Sequence, residues 1–504
     1  MSTAHLGAIW STPAFLLCLT FTTPLAFGAD TSVTGKWSGK LQAYANEIDV
    51  DAAGLAAAVI PLNGPGLEQY INADIPMNPG SIMKVLTTYA ALEILGPDYH
   101  WETRFFTDGQ LVGNTLDGNL YVEFSGDPKL TIERLWTVIG ELRGMGVSAI
   151  TGDLVLDGHY FRLPERSPIF HDNGDNPHAP FLVKPSAYLT NLNVTHFEVR
   201  ADERGTRAWS KPAFDRVVID NRVTAMSEAR CPARSQFEWT PQFHDNGHIT
   251  VKIEGKLARG CRTSAYLSLL APEDYSGALI QSLWQNMGGT LAGTYRTGVT
   301  PPDARLMMAA YSPDLVTIIR DINKWSSNVM ARQLLLNIGA ENRQPGELDD
   351  RLAGIRTILE WLESKNINTA GMVIDNGAGL SRHGRLSARQ TAQILQQAWN
   401  SPFAADLMSS LPLIAMDGTM ARRLRNTALT GEGRIKTGYL QGVRSIAGYS
   451  RDKSETNWVV VGMVNHDPAW NGQAVLDRML YSLYFTPPLG TALSQAPDSG
   501  SSVR

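Results

Sequence analysis

The sequence predicts an α+β fold: an antiparallel sheet flanked by helices, interrupted by a large, partly β-rich insertion built as two subdomains. Three observations carry this. Residues 434–439, 444–449 and 457–464 are successive strand-like runs joined by short turns, and a helical stretch over 469–484 follows them. Near the other end, 55–62 and 67–73 read as two strands around Asn63-Gly64-Pro65-Gly66, leading into an apolar run over 82–95. Between these ends lie roughly two hundred residues of short strands, turns and isolated helices. A meander covered by helices from both ends of a chain is an α+β arrangement.

At 504 residues the chain exceeds a single core, and its length suggests about three domains. Hydrophobic residues make up 43% and charged ones 18%, as in an ordinary folded protein. A net charge of −5 and a pI near 6.1 argue against nucleic-acid binding. Residues 1–28 read as a signal peptide. Ala14-Phe15-Leu16-Leu17-Cys18-Leu19-Thr20-Phe21 opens an apolar core, and Ala26-Phe27-Gly28 supplies small residues at the cleavage spacing. No Lys or Arg precedes that core, which leaves an uncleaved anchor as the alternative. No later run approaches the roughly 20 apolar residues that span a bilayer. The chain is therefore expected in the periplasm, with no integral membrane segment once the signal is removed. In that oxidising compartment Cys231 and Cys261 are expected to form a disulfide, with two separate buried thiols as the alternative. The bridge would close a loop of about 30 residues, worth on the order of 3 kcal/mol.

In chain order, 33–49 suits an amphipathic helix. After Gly96-Pro97 come strands at 101–106 and 119–124, a helix over 130–145 and a buried strand over 152–157. Residues 161–264 are rich in polar turns, with short strands at 217–219 and 248–253. A helix follows at 275–287, Pro301-Pro302 reads as a boundary, and helices resume at 314–323, 327–338 and 349–363. The expected domains are thus 29–97 with 303–486, one insertion subdomain from 98–160 with 265–302, and a nested β-rich subdomain at 161–264. The Pro-, Ser- and Gly-rich tail, 487–504, is expected to be disordered.

The chemistry centres on Asn78-Pro79-Gly80-Ser81-Ile82-Met83-Lys84. Pro79 and Gly80 break what precedes them, so Ser81 stands at the mouth of an apolar helix with Lys84 one turn on. Residues three apart share a helix face, so the amine can reach the hydroxyl. A serine needs a base to take its proton, and burial against apolar residues pushes a lysine pKa down towards that role. Ser450-Arg451-Asp452-Lys453 repeats the spacing, but in a charged turn with no apolar helix behind it. Two further stretches complete the set. Ser326-Ser327-Asn328 opens an apolar helix, where an N-cap is the plainer reading of Ser326. Lys436-Thr437-Gly438 lies on a strand, where Gly438 would let a ligand backbone come close.

In this order and on these elements, the three motifs resemble those of the penicillin-recognising serine acyl-transferases. The first two stand 245 residues apart (326 − 81), far more than in class A β-lactamases. With that insertion the chain resembles the D-alanyl-D-alanine carboxypeptidase/endopeptidase family of the penicillin-binding protein 4 type, among the low-molecular-mass class C penicillin-binding proteins. Stretches 125–130, 152–157, 191–193, 375–382 and 417–423 extend the likeness over nearly the whole mature chain.

The resemblance implies a β-lactamase/transpeptidase-like catalytic domain and a serine hydrolase of peptidoglycan stem peptides and cross-links, acylated by β-lactam antibiotics. Ser81 would be the nucleophile, Lys84 its base, and Ser326 the relay to the leaving amine. Asn328 would hold the scissile peptide, Lys436 and Thr437 the terminal carboxylate. The backbone N–H groups of Ser81 and Tyr439 would form the oxyanion hole. Tyr439 stands where Thr or Ser is usual, and Ser327 where Asp is usual. Asp157 and Arg382 resemble positions that recognise diaminopimelate, a strand-end carboxylate and a loop cap being the alternatives. No cofactor or metal is implied, and a homo-oligomer is compatible with the reading. A β-lactamase of the same fold and a non-catalytic cell-wall-binding homologue are the rivals. His244 and His248 have metal-pair spacing across a turn, and His171, Asp172, Asp175 and His178 crowd one loop; both groups read better as solvated loop.

Overall fold

A computed structural model of the protein describes residues 37–164, 177–227, 230–467 and 469–489. The signal segment, His171, Asp172, Asp175 and most of the tail lie outside them. At the tail's near end, Pro488 accepts a backbone hydrogen bond from Leu67.

The sheet that carries the motifs has five strands, all antiparallel, in the spatial order Gln69–Ile71, Leu55–Pro61, Asn457–Asn465, Val443–Arg451, Gly433–Leu440. Its centre is Leu55–Pro61 against Asn457–Asn465, so the first and last strands of the chain close the domain. Side chains alternate across the pleat. Ala56, Ala58 and Ile60 face a core made with helices Met83–Leu95 and Ala388–Trp399. Leu55, Ala57 and Val59 face a second core with Trp37–Glu47 and Gly472–Phe485. The sheet is thus buried on both faces, which is why its strands read as near-continuous apolar runs.

Met83–Leu95 is buried on every side from Met83 to Leu92, as a helix apolar all round should be, and it stops at Gly96 with φ +87°. The Gly433–Leu440 strand is the sheet's outer edge, with pairing on one side only apart from a single bridge at Arg434 to Leu413.

The insertion holds a second five-stranded sheet, in the order Tyr295–Thr297, Leu154–Asp157, Leu120–Phe124, Glu102–Thr107, Arg305–Tyr311. Arg305–Tyr311 pairs with Glu102–Thr107. This sheet therefore runs past Pro301-Pro302, which mark the turn into its last strand. Smaller sheets join Gly205–Lys211, Thr195–Asp202 and Arg262–Leu267, and Val217–Asn221, Ile249–Glu254 and Glu238–Phe243. One continuous apolar cluster, from Phe105 through Phe197 and Val251 to Trp284, underlies the 98–160, 161–264 and 265–302 parts together. Helix Ala388–Trp399, not among the helices expected from the sequence, is opened by a capping box at Ser387 and Gln390 and buries Ala388, Ala392, Leu395 and Ala398 on one face.

Cys231 and Cys261 form a disulfide. It ties the 231 loop to the start of strand Arg262–Leu267, beside a three-stranded sheet with little bulk of its own. Closing a loop of this length is worth on the order of 3 kcal/mol. Cys231→Ser should therefore make the 195–267 region cleave several-fold faster in limited proteolysis while the five-stranded sheet domain stays intact. Equal resistance of mutant and parent would show that the shared core alone holds this region.

Candidate active site

The three motifs meet at one end of the sheet. Gly80 takes φ +52° in a tight helical turn, Gly80–Ile82, that leads into Met83–Leu95. That turn presents Ser81 to the cleft and sets Lys84, fully buried, in the helix's first turn. Lys84 Nζ lies 2.9 Å from Ser81 Oγ, 2.7 Å from Asn328 Oδ1 and 2.6 Å from the carbonyl oxygen of Ala378. The last two atoms can only accept. A neutral amine has two N–H groups and one lone pair. With both hydrogens given to Asn328 and Ala378, the lone pair is left for the Ser81 hydroxyl. Burial, then the positive charges of Lys436 and Arg332, hold the Lys84 pKa well below its ordinary value. Burial and these contacts both favour the neutral amine, with its third contact on Ser81 Oγ.

Ser326 is the left-handed residue (φ +57°) that closes helix Leu315–Trp325, and its backbone N–H bonds Ile322 O. The helix N-cap falls one residue later: Ser327 Oγ accepts from Met330 N and opens Asn328–Glu341. This corrects the N-cap reading of Ser326 and leaves the Ser326 hydroxyl to the cleft, where Lys436 Nζ donates to it at 2.8 Å. It also gives Ser327 a structural role in place of the usual Asp. Lys436 is fully buried, and that burial lowers its pKa to about 7.

Gly438 has a packing role within the protein. A Cβ there would stand 2.1 Å from Ser445 Oγ, 2.9 Å from Pro79 O and 3.0 Å from Ser81 N. The glycine is required because the strand presses against the protein's own Ser81 turn. Ser445 Oγ donates to Pro79 O at 2.6 Å and locks the same junction. This contact brings the backbones of Ser81 and the Gly438-Tyr439 segment together, as a two-donor oxyanion hole requires. The Tyr439 side chain points away, 70% exposed, with the Arg444 guanidinium 3.9 Å above its ring. Thr437 Oγ1 bonds Thr419 Oγ1 at the cleft rim.

Several contributors went unassigned in the sequence. The 375–382 stretch supplies the Ala378 carbonyl, while Gly379 passes so close to the Ser81 turn that a Cβ would meet Gly80 O at 1.8 Å. Lys324, nearly buried, bonds Leu411 O and Asp417 Oδ2, tying the Ser326 loop to the Thr419 loop. Burial lowers the Lys324 pKa despite the Asp417 carboxylate. The 375–382 and 417–423 stretches stand out only through the family resemblance, and their individual roles are not legible because each contact spans long separations.

Asp157 and Arg382 lie outside this hydrogen-bonded cluster. Asp157, 5% exposed, accepts from Thr300 N at 2.6 Å and from the backbone and ring of His159. Burial would raise its pKa, but these bonds outweigh it and keep the carboxyl below its ordinary value. Arg382 is exposed and donates to Gln441 O. His244 bonds Thr250, and no metal-binding cluster of three His, Cys, Asp or Glu occurs among the described residues.

Residues 39–481 match the model of the D-Ala-D-Ala carboxypeptidase 3 (S13) family. The chain is 29% identical over 448 residues to a D-alanyl-D-alanine carboxypeptidase of Actinomadura sp. (strain R39), covering 84% of this chain and 80% of that one. It is 26% identical to D-alanyl-D-alanine carboxypeptidase DacB of Haemophilus influenzae, over 78% of this chain and 81% of the relative. The crystal structure of penicillin binding protein 4 (dacB) from Haemophilus influenzae shares the fold, with a TM-score of 0.71 at 24% identity over 86% of this chain and 96% of that one. The same Haemophilus protein is also known in complex with a β-lactam. The family match spans both ends of the sheet and the insertion between them: the chain belongs to the D-Ala-D-Ala carboxypeptidase 3 (S13) family.

Proposed function

We infer that the protein is an exported serine D-Ala-D-Ala carboxypeptidase and DD-endopeptidase, acting on peptidoglycan stem peptides and cross-links through an acyl-enzyme that β-lactams also form. The observation that carries this is the Lys84 amine, buried, with two obligate acceptors on its hydrogens and Ser81 Oγ on its remaining side.

In this reading Ser81 Oγ attacks the carbonyl of the penultimate D-alanine and its proton passes to Lys84. The oxyanion rests on the N–H groups of Ser81 and Tyr439. The C–N bond then breaks, and the departing amine takes a proton through Ser326, which Lys436 holds. Water hydrolyses the Ser81 ester. The free edge of Gly433–Leu440 suits an extended peptide added as a further antiparallel strand. Lys436 and Thr437 take its terminal carboxylate, and Asn328 its backbone. Asp157 and Arg382 are assigned to the diaminopimelate side chain. Release of D-alanine from a soluble pentapeptide, with the mass and lifetime of a penicillin adduct on Ser81, tests the reading and separates it from a β-lactamase.

Three outcomes are expected. Lys84→Arg should fold yet lose acylation, since an arginine remains protonated at working pH; near-normal penicillin labelling of the folded variant would remove Lys84 as the base.

The pH dependence of kcat/KM should be bell-shaped. The acid limb follows loss of the Lys84 proton, because only the neutral amine is a base. The alkaline limb follows loss of the Lys436 proton from about 7 upwards, because only the ammonium pairs with a carboxylate. Lys436→Arg should carry the alkaline limb to higher pH, and an unmoved limb would assign it to another group.

Gly438→Ala should slow penicillin acylation by about a hundredfold, the scale of one lost oxyanion donor. Adding Ser445→Ala, which removes the nearest clash, should restore part of the rate. A fully active Gly438→Ala would mean that the junction yields without cost.

A further inference from the structure

The solvent face of the sheet formed by Gly205–Lys211, Thr195–Asp202 and Arg262–Leu267 has no part in the chemistry above, and its composition is unlike the rest of the chain. Its inner side chains, Phe197, Val199 and Ala201, are buried in the insertion core. The register fixes what remains outside. Lys211, His196 and Tyr266 form one row across the three strands; Trp209, Glu198 and Ser264 form the next; Arg207, Arg200 and Arg262 form the third. Arg234 reaches onto the middle row through Ser264 Oγ.

Five cations therefore share a face with Glu198 and Asp202, while Glu133 stands near Lys211 at its margin. Arg262 and Arg234 have no carboxylate partner among the described residues. The whole chain carries −5, so this positive face is a local feature.

The rings are held flat by neighbours. Tyr266 stacks on His196 with centroids 4.4 Å apart, and the Arg200 guanidinium lies 5.2 Å from the Trp209 ring. Tyr266 is 49% and Trp209 39% exposed. Pre-stacked planar rings offer an apolar surface at little entropic cost, and arginines beside them offer forked donors to carboxylates.

The sheet also starts at the catalytic cleft. Val194, just before strand Thr195–Asp202, packs with Val183, Leu189 and Val329, and Val329 adjoins Asn328. Strand Thr195–Asp202 has eight residues at about 3.3 Å each, so the face runs roughly 26 Å along it from that point. That geometry suits a polymer whose reacting branch is held in the cleft while its backbone lies along the sheet.

We propose that this face is a docking surface for a peptidoglycan strand, with sugar rings on Trp209 and Tyr266 and the carboxylates of neighbouring stem peptides on Arg200, Arg262 and Arg234. It rests on the peptidoglycan reading given above and extends it from the scissile peptide to the polymer that bears it. Charge complementarity selects the acidic polymer, and the exposed rings select one that contains sugars.

The test uses the full mature chain with Ser81→Ala, which prevents digestion, and purified peptidoglycan sacculi in a sedimentation assay. Trp209→Ala with Tyr266→Ala should weaken sacculus binding about tenfold, near 1.4 kcal/mol; Arg262→Glu should do the same and make the salt dependence shallower, because it removes a cation that salt screens. Trp209→Phe should retain binding. In the Ser81 background the same surface variants should hydrolyse a soluble pentapeptide at the parental rate, which keeps this result distinct from a failure of the catalytic assignment. Unchanged sacculus binding in the surface variants would overturn the proposal. So would parental binding to poly-glutamate as tight as to sacculi, which would reduce the face to a general anion surface.

Discussion

The site depends on keeping one amine dry. Lys84 sits in the first turn of a helix buried on all sides, and its surroundings replace water with two carbonyl-type acceptors and one hydroxyl. Burial disfavours the ammonium form, and the nearby Lys436 adds a second positive charge against it. The acceptors do more than satisfy the amine. In the neutral amine they would occupy both hydrogens and so direct its lone pair, which an apolar pocket would leave undirected.

Holding those acceptors requires parts of the chain far apart in sequence. Asn328 comes from a helix after the insertion and Ala378 from a loop fifty residues later. Both are fixed by packing onto the Ser81 helix, and Thr87 bonds the same loop through Gly377 O. Close backbone approach is the shared device. Gly379 against Gly80, and Gly438 against Ser81 and Ser445, bring main chains to distances that no side chain allows. Asn323 and Lys324 then brace the Ser326 loop from below through Thr88, Ser410 and Asp417.

The insertion meets the catalytic helices through few but specific contacts. Gln333 bonds Gly126 O and Ser186 O, and Asn337 bonds Ser125 O, so helix Asn328–Glu341 carries the Lys84 partner Asn328 at its mouth and insertion partners further along. Arg343 and Asp350 form a buried pair that also holds the 160–162 segment. The insertion is thereby anchored to the helix that carries Asn328. The 125–130 stretch falls at these junctions, whereas Asn191 and Asn193 bond Tyr275 and Leu270 inside the insertion.

The sequence by itself determined the α+β class, the antiparallel meander, the buried Ser81 helix and the identity of the three motifs. Each of these is a local property, written in apolar runs, breakers and turn residues. It also pointed to the Cys231–Cys261 pairing, because only two cysteines lie beyond the apolar N-terminal run. Only the tertiary structure decided which serine caps the helix and which faces the cleft, since Ser326 and Ser327 are identical residues separated by a left-handed turn. The same holds for Gly438, whose need for no side chain arises from a turn more than three hundred residues earlier. Ala378 contributes through its carbonyl, which every residue has, so no side-chain pattern could announce it. The strand Arg305–Tyr311 joined the insertion sheet because pairing with Glu102–Thr107 satisfies its backbone there, beyond the prolines that suggested an end. Long-range backbone contacts decided these points, and a single chain of residue types does not record them.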